Sequence, residues 1–264
     1  MRNRLRIAAV ALMALAVVPL AGAGPQAAGS QQASSASASA ALPPAKEIMD
    51  RHIKAIGGRE ALLARSSSRA TGRIEMPASG VSGTFEMYSA KPNKTLIKIT
   101  LPGVGDIQEG FDGTVGWSIN PMTGPTLMQG AQLEQRKLDS DFYSGLEPEK
   151  RYESITTVER TTFDGRECYK VRLVRHGGGE DFQFYDVKTG LRAGGIVTRE
   201  TPMGNMTASS TETDYKPFGG VLQATKLTNT AMNLQQVMTF DTFEYDKVDP
   251  SVFALPDPIK ALVK

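Results

Sequence analysis

Apolar and polar residues alternate with a period of two along most of the chain from residue 68 onward. Successive side chains of a strand point to opposite faces of a sheet, so this alternation predicts half-buried strands. The first five runs span residues 68–76, 81–89, 94–101, 106–111 and 114–120. Asp112-Gly113 separates the last two, and this pair predicts a tight hairpin turn because glycine accepts the positive φ that the turn requires.

Seven further alternating runs follow at regular spacing, with turns rich in Gly and Asp between them. They span residues 152–159, 167–175, 181–186, 191–200, 205–215, 221–229 and 234–245. In the last run both alternating sets carry apolar residues, which predicts a bulge midway along the strand. About 11 to 12 antiparallel strands with a few helices predict an α+β fold with one large curved sheet, in a single domain over residues 43–264.

Two segments show helical spacing instead. Between Pro44 and Ile56 the apolar positions recur every three or four residues, which predicts an amphipathic helix that Gly57-Gly58 ends. Its stripe consists of Ala45, Ile48, Met49, His52, Ile53 and Ile56, with His52 at the edge as a packed histidine rather than a ligand. A second helix is predicted over residues 130–146, where the apolar stripe is narrower.

The N-terminal 42 residues carry no pattern of a folded core. Residues 1–23 combine a basic start, an apolar run shorter than the ~20 residues of a membrane-spanning helix and a small-residue end, so they predict a cleaved signal peptide. An uncleaved anchor is the alternative. Residues 24–42 are rich in Ser, Ala and Gln and predict a disordered linker. With no Cys near the cleavage site, we expect a periplasmic protein that is not lipid-anchored.

Charge and motifs exclude several classes of function. Without the three Arg of the signal peptide, 27 Lys and Arg stand against 28 Asp and Glu, so nothing favours nucleic acid as a partner. The chain has two His, one Cys and none of the common catalytic, metal-binding or nucleotide-binding motifs, which predicts a protein that is not an enzyme and has no cofactor or metal. Cys168 is predicted to be a half-buried strand residue.

The apolar residues themselves point to binding. The chain has 11 Met, most of them on strands or strand-joining loops, and Met is over-used at surfaces that accept varied apolar partners. Ordinary core packing is the alternative. A curved sheet closed by amphipathic helices can also enclose an apolar cavity. From the alternation we predict a cavity lined by Phe85, Met87, Ile97, Ile99, Trp117, Ile119, Met122, Leu173, Phe182, Phe184, Met206, Met238 and Phe240.

Three short segments, in this order, resemble the LolA-like family of outer-membrane lipoprotein-sorting proteins. Ala90-Lys91-Pro92-Asn93 is similar to the family's basic-Pro-Asn turn, and residues 111–121, FDGTVGWSINP, are similar to its D-G-x-x-x-W-x-x-x-P segment. Residues 249–256, DPSVFALP, are similar to its D-x-x-x-F-x-x-P terminus. The similarity spans residues 45–258, so the chain resembles a divergent member of that family.

The resemblance implies an incomplete β-barrel with helices as a lid over a cavity that receives acyl chains. It implies a monomeric periplasmic carrier for a lipid acyl chain or lipoprotein, with a membrane-embedded donor or acceptor complex as a possible partner. The lid helix would contribute Ile48, Met49, Ile53 and Ile56. The family's lid-latching arginine corresponds here to Lys91, and lysine cannot make the same planar, bidentate contact.

Two other functions remain open from the sequence. The same fold with a well-packed interior would suit a periplasmic sensor or interaction module that binds a protein partner. A hydrolase acting at the rim of the sheet is the third alternative, although no set of residues in the sequence indicates one.

Overall fold

The computed structural model describes residues 41–201 and 204–263. The predicted signal peptide and all but the last two residues of the predicted linker lie outside this part of the chain. The strands form one open antiparallel sheet, so the predicted α+β half-barrel is confirmed. The thirteen strands are β1 (Ser67–Met76), β2 (Val81–Ala90), β3 (Lys94–Leu101), β4 (Gly105–Phe111), β5 (Gly116–Asn120), β6 (Gly124–Leu127), β7 (Tyr152–Phe163), β8 (Arg166–Arg175), β9 (Glu180–Asp186), β10 (Arg192–Thr201), β11 (Gly204–Phe218), β12 (Val221–Ala231) and β13 (Leu234–Tyr245).

The strand order in the sheet is β6-β5-β4-β3-β2-β1-β13-β12-β11-β10-β9-β8-β7. Two meanders, β1–β6 and β7–β13, are therefore joined side by side where β1 pairs with β13. The predicted bulge in the last strand is confirmed, because β13 has one extra residue opposite the step from Thr71 to Gly72.

Four short α-helices accompany the sheet: α1 (Ala45–Ala55), α2 (Arg59–Leu63), α3 (Gly130–Asp139) and α4 (Asp257–Lys260). Two 3-10 turns lie at Pro148–Lys150 and Pro250–Phe253. The predicted second helix is therefore too long, because α3 ends at Asp139 and a series of turns follows. The short edge strand β6 was not predicted, since its Gly124 and Pro125 are typical of a loop and Pro is tolerated in a strand mainly at a sheet edge.

The two faces of the sheet are covered by different parts of the chain. We call the face that carries α1 and α3 the helix face, and the other the opposite face. On the opposite face, the C-terminal segment packs Phe253 and Ile259 against Leu96 and Trp117. Asp249 begins this segment by accepting a hydrogen bond from the Ser251 amide, 2.9 Å from its Oδ1. The D-x-x-x-F-x-x-P terminus thus supplies a cap and a buried aromatic side chain.

The main core lies on the helix face of the first meander. It consists of Ile74, Phe85, Ile99, Leu101, Ile107 and Met238, which cover one another across five adjacent strands. A smaller cluster of Cys168, Phe184 and Ala193 lies on the opposite face of β8–β10, where the Phe163 ring stacks on Phe184 with centroids 3.9 Å apart. Cys168 is fully buried, so its predicted strand position is confirmed while its expected half-exposure is not.

Candidate functional site

The helix α1 lies on one end of the helix face. Ala45 and Ile48 are buried against Val171 and Leu173 of β8 and Tyr185 of β9. Both ends of α1 are fixed to the sheet. Near its start the Thr157 hydroxyl donates to the carbonyl oxygen of Pro43 over 2.7 Å, and at its end the Leu222 amide donates to the carbonyl oxygen of Ile56 over 2.9 Å.

Gly57 allows the end of α1 to approach the β11–β12 turn. Its φ is +130°, and a Cβ at this position would lie 2.7 Å from the carbonyl oxygen of Gly220. Only glycine fits such a conformation at such a distance without displacing the turn. The Gly57-Gly58 pair thus ends the predicted helix and also sets its position on β11 and β12.

The helix α3 covers the other end of the helix face, over β4 and β5. Its Arg136 forms an ion pair with Glu109 of β4, and a Cβ at Gly116 of β5 would lie 3.2 Å from Leu133. The segment after α3 then crosses to the start of α2 and β1, where the Tyr143 hydroxyl donates to the carbonyl oxygen of Arg65 over 2.7 Å. Arg59 of α2 donates to the carbonyl oxygen of Leu146 over 3.1 Å. These contacts tie the segment after α3 to α2 and to the residues that precede β1.

Between α1 and α3 the helix face is apolar and incompletely covered. Register places Phe85 and Met87 of β2, Ile97 of β3, and Phe240 and Phe243 of β13 on this face. Met87 is 37% exposed, and Ile97, Phe240 and Phe243 are half-buried. We call the region lined by Met87, Ile97, Leu227, Phe240 and Phe243 the central groove. Four aromatic rings pack in a row along its floor, in the order Phe85, Phe240, Phe243 and Phe218. The centroids of successive rings are 5.0 to 5.1 Å apart.

The structure places eight of the thirteen predicted cavity residues on the helix face. They are Phe85, Met87, Ile97, Ile99, Leu173, Met206, Met238 and Phe240. The helix residues Ile48 and Met49 pack on the same face, and Ile53 and Ile56 are half-buried. These residues are brought together as the alternation predicts, and their role in binding stays a prediction.

Four predicted cavity residues lie on the opposite face. Trp117 and Ile119 pack under the C-terminal segment, as does Val115, so the predicted sharing of a face by these three is correct and the choice of face is wrong. Phe182 and Phe184 pack in the Cys168 cluster, because β9 presents Asp181, Gln183 and Tyr185 to the helix face instead. A period of two fixes which residues lie together but does not decide which set faces inward.

The last two predicted residues are exposed. Met122 lies in the turn between β5 and β6 and is 63% exposed, outside both faces. Lys91 lies in the turn between β2 and β3, and its ammonium group has no hydrogen bond or ion pair with any residue that the structure describes. A lid latch at Lys91 stays a prediction.

A polar cluster under α1, in which Tyr185 and Glu212 are buried, was not predicted from the sequence. An ion pair joins Arg192 of β10 to Glu212 of β11, with Nη2 2.7 Å from Oε1. The Tyr215 hydroxyl lies 2.9 Å from the other carboxylate oxygen of Glu212. Tyr185 pairs with Arg192 across β9 and β10, and its ring meets the His52 ring edge-on at 5.4 Å. Counting by two from Met206 along β11 places Glu212 on the inward face, and this was the available signal.

The environment shifts the acid–base behaviour of this cluster. Burial, and then the positive charge of Arg192, lower the pKa of His52 from 6.5 to about 4, so His52 is neutral at pH 7. Burial raises the pKa of Tyr185 above its ordinary value, and it does the same for Tyr215. Burial opposes the charge of Arg192, but the carboxylate of Glu212 outweighs it and raises the pKa of the guanidinium.

Depressions elsewhere on the described surface carry charged side chains. A shallow depression of about 490 Å³ on the opposite face is bordered by Arg73, Glu86 and Lys98, whose charges do not suit an acyl chain. In residues 41–201 and 204–263, no three His, Cys, Asp or Glu side chains are grouped so as to hold a metal ion. Within the same ranges, no helix has the length and apolar character needed to cross a membrane.

Comparisons with known proteins identify the fold. No family model matches the sequence, and no curated protein matches it. The structure is similar to that of a DUF1329 family protein from Desulfovibrio piger, with a TM-score of 0.57, 14% identity and coverage of 81% of this chain and 98% of the other. A LolA superfamily protein from Nitrosomonas europaea gives a TM-score of 0.55, 11% identity and coverage of 81% and 99%.

A third similar structure comes from Vibrio parahaemolyticus and is assigned as an outer membrane lipoprotein-sorting protein domain. It has a TM-score of 0.51, 11% identity and coverage of 82% of this chain and 97% of the other. The chain thus shares its fold with these structures, a LolA superfamily protein among them, over nearly their full length. This confirms the resemblance at the level of the fold, which alone does not fix a function.

Proposed function

We propose that this protein is a periplasmic binding protein, not an enzyme, that holds the acyl chain of a lipoprotein or another lipid in the central groove. The observation that carries the proposal is an incompletely covered apolar surface between two helices, with Met87 37% exposed beside half-buried Phe240 and Phe243. Clustered apolar surface that stays accessible in a folded protein marks a binding site more often than a packing defect. A role in outer-membrane lipoprotein sorting fits the LolA-type fold.

The groove has the chemistry that an alkyl chain requires. Its floor of Phe rings and its Met and Ile walls can bury methylene groups, each of which contributes roughly 0.8 kcal/mol when removed from water. The flexible thioether of Met87 can adjust to chains of different shape. Helices α1 and α3 lie on either side along the sheet, where small movements of either would widen or narrow the groove.

The first test is native mass spectrometry of residues 24–264, purified from a periplasm without detergent, with lipid extraction of the same sample. We expect a bound mass in the range of an acyl lipid. A ligand-free mass, from protein that also refuses added fatty acid and lipopeptide, would contradict the proposal and favour a protein partner.

The second test uses two matched substitutions. Met87→Asp puts a carboxylate in the groove, and desolvating it under an acyl chain should weaken lipid binding at least tenfold. Met122→Asp makes the same change at a 63% exposed turn outside the groove and should leave binding unchanged. Emission from Trp117, which is buried on the opposite face, reports whether each variant is folded. Equal binding by folded Met87→Asp and Met122→Asp variants would place the site elsewhere.

A further inference from the structure

The polar cluster under α1 adjoins the central groove. Glu212 of β11 pairs directly with Leu227 of β12, and Leu227 packs beside the core that contains Met238 and Phe240. Moving along the helix face from β2 towards β10, the surface therefore changes from apolar side chains to the ion pair of Arg192 and Glu212. A chain lying in the groove would meet this pair at its end.

Arg192 has hydrogen-bonding capacity that the protein does not use. It lies near His52 of α1 and beside Tyr185 and Glu212, and 40% of its side-chain surface is accessible, so part of the side chain can be reached from solvent. Its Nε is buried and has no hydrogen-bond partner. Arg65, Arg69 and Arg151 also have a buried nitrogen without a hydrogen-bond partner, so what distinguishes Arg192 is its position beside the central groove.

The two carboxylate oxygens of Glu212 beside Arg192 are already engaged. One oxygen of Glu212 contacts the guanidinium and the other lies 2.9 Å from the Tyr215 hydroxyl. The ring nitrogen Nδ1 of His52 lies 3.3 Å from the carbonyl oxygen of Gly190, and the Tyr185 hydroxyl donates to Gln183 over 2.5 Å. The guanidinium has five N–H donors and contacts Glu212 through Nη2, so Arg192 has donors left for a ligand.

We propose that Arg192, held in place by Glu212 and Tyr215, binds the polar end of the ligand by donating hydrogen bonds to the carbonyl oxygen of an ester- or amide-linked acyl chain. This inference rests on the proposed function, because the chain itself would occupy the central groove. The polar end of the ligand would then lie against β10 and β11, and its acyl chain would lie against β2, β3 and β13.

The charge balance of the cluster determines whether the site prefers a neutral or a charged polar end on the acyl chain. Arg192 and Glu212 cancel, His52 is neutral at pH 7, and the neighbouring Arg175 and Asp181 form a second neutral pair. A free carboxylate would add an uncompensated negative charge close to Glu212 in a partly desolvated site. An ester or amide carbonyl accepts the same hydrogen bonds without that charge. The site therefore favours acyl esters and amides over free fatty acids.

The experiment compares three probes on residues 24–264: a pyrene-labelled dodecanoic acid at pH 8, its methyl ester, and a pyrene-labelled dodecane without a polar end. We expect the methyl ester to bind about tenfold more tightly than either of the others. Wild-type protein that binds all three equally would overturn this inference and leave the proposed function intact. Protein that binds none of them would contradict the proposed function itself.

Two variants test the residues. Arg192→Met with Glu212→Gln removes both charges together, so no unpaired charge stays buried, and it should reduce ester binding about tenfold, to the level of the unsubstituted chain. Glu212→Gln alone leaves Arg192 with a net positive charge and should increase binding of the free acid at least tenfold. If ester binding by the folded double variant matches that of the wild type, Arg192 does not bind the polar end.

Discussion

At the scale of single residues, the packing of α1 on the sheet sets the protonation state of His52. His52 lies on α1 at the edge of the apolar stripe, and its ring packs edge-on against Tyr185. A histidine held neutral at this contact lets α1 cover the sheet without burying a charge. Protonating it would place a cation beside Arg192, which also faces this contact.

This environment predicts how stability depends on pH. The pKa of His52 is about 4 in the folded protein against 6.5 ordinarily, so as the pH falls the unfolded chain binds the proton first. Stability should decline from about pH 6.5 and stop declining, as far as His52 is concerned, near pH 4. From pH 7 to pH 5 this amounts to about 2 kcal/mol.

Urea unfolding at pH 7 and pH 5 measures the effect. His52→Gln should lose about 2 kcal/mol less than the wild type between the two pH values. His176→Gln should keep the dependence of the wild type, because it leaves His52 in place. An unchanged pH dependence in His52→Gln would show that α1 does not desolvate the histidine as described.

At the scale of secondary-structure elements, the C-terminal segment acts as a clamp on the opposite face. Ile259 is fully buried and Phe253 is 5% exposed, both against the face that carries Trp117 and Leu96. Phe253 ends a 3-10 turn and Ile259 lies in the single-turn helix α4, and both elements are too short to be stable alone. Packing on Trp117 therefore holds this segment in place.

Ile259→Ala should test that dependence. Removing a fully buried isoleucine side chain leaves a cavity and should reduce the free energy of unfolding by about 2–4 kcal/mol, with a red shift in the emission of Trp117. Leu262→Ala, at a 42% exposed position a few residues on, should change stability by less than about 0.5 kcal/mol and leave the emission as it is. Equal effects of the two variants would argue against a clamp.

Most of the secondary-structure elements could be predicted from the sequence alone. Alternation predicts twelve of the thirteen strands to within a few residues, because half-buried strands bring side chains to a definite face. It does not identify β6, whose Gly and Pro are typical of a loop, or the end of α3 at Asp139, where turns follow without a break in composition. Whether an edge strand such as β6 forms depends on its hydrogen bonds to the neighbouring strand, and the periodicity of the sequence does not report those bonds.

Some residues of the candidate site could be predicted from the sequence and others could not. Phe85, Met87 and Phe240 were predicted to share a face and do so, because each follows its strand's alternation. Trp117 and Phe184 lie on the opposite face, since the C-terminal segment and the Phe163 ring bury them there. Arg192 and Glu212 were not predicted, because the pair comes to lie under α1 only when that helix packs over strands more than a hundred residues away.

At the scale of the whole molecule, the helices interlock the two meanders. α1 precedes the first meander in sequence but packs on β8 and β9 of the second. The C-terminal segment follows the second meander but packs on β3 and β5 of the first. Together with the pairing of β1 and β13 in the middle of the sheet, these crossed contacts make each meander depend on the other. We therefore expect the protein to unfold as one cooperative unit.

Gly72 lies at the point where the two meanders join, opposite the bulge in β13. A Cβ at this position would lie 2.1 Å from the carbonyl oxygen of Thr239 and 2.6 Å from the Phe85 ring, and a strand carbonyl cannot move away without breaking the pairing. Gly72→Ala should therefore cost at least about 2 kcal/mol. Gly145→Ala, where a Cβ would meet nothing within 4 Å, is the matched control and should be nearly neutral.

Hydrogen exchange in increasing urea then shows whether Gly72→Ala destabilises both meanders together or only the first one. If the junction couples the meanders, peptides from residues 85–101 and 168–185 should lose protection at the same urea concentration, and Gly72→Ala should lower that concentration equally for both. Separate transitions, with only residues 85–101 affected by the substitution, would mean that the meanders fold independently. In that case α1 could leave the second meander without disturbing the first, and the groove between α1 and α3 could open at a cost well below that of global unfolding.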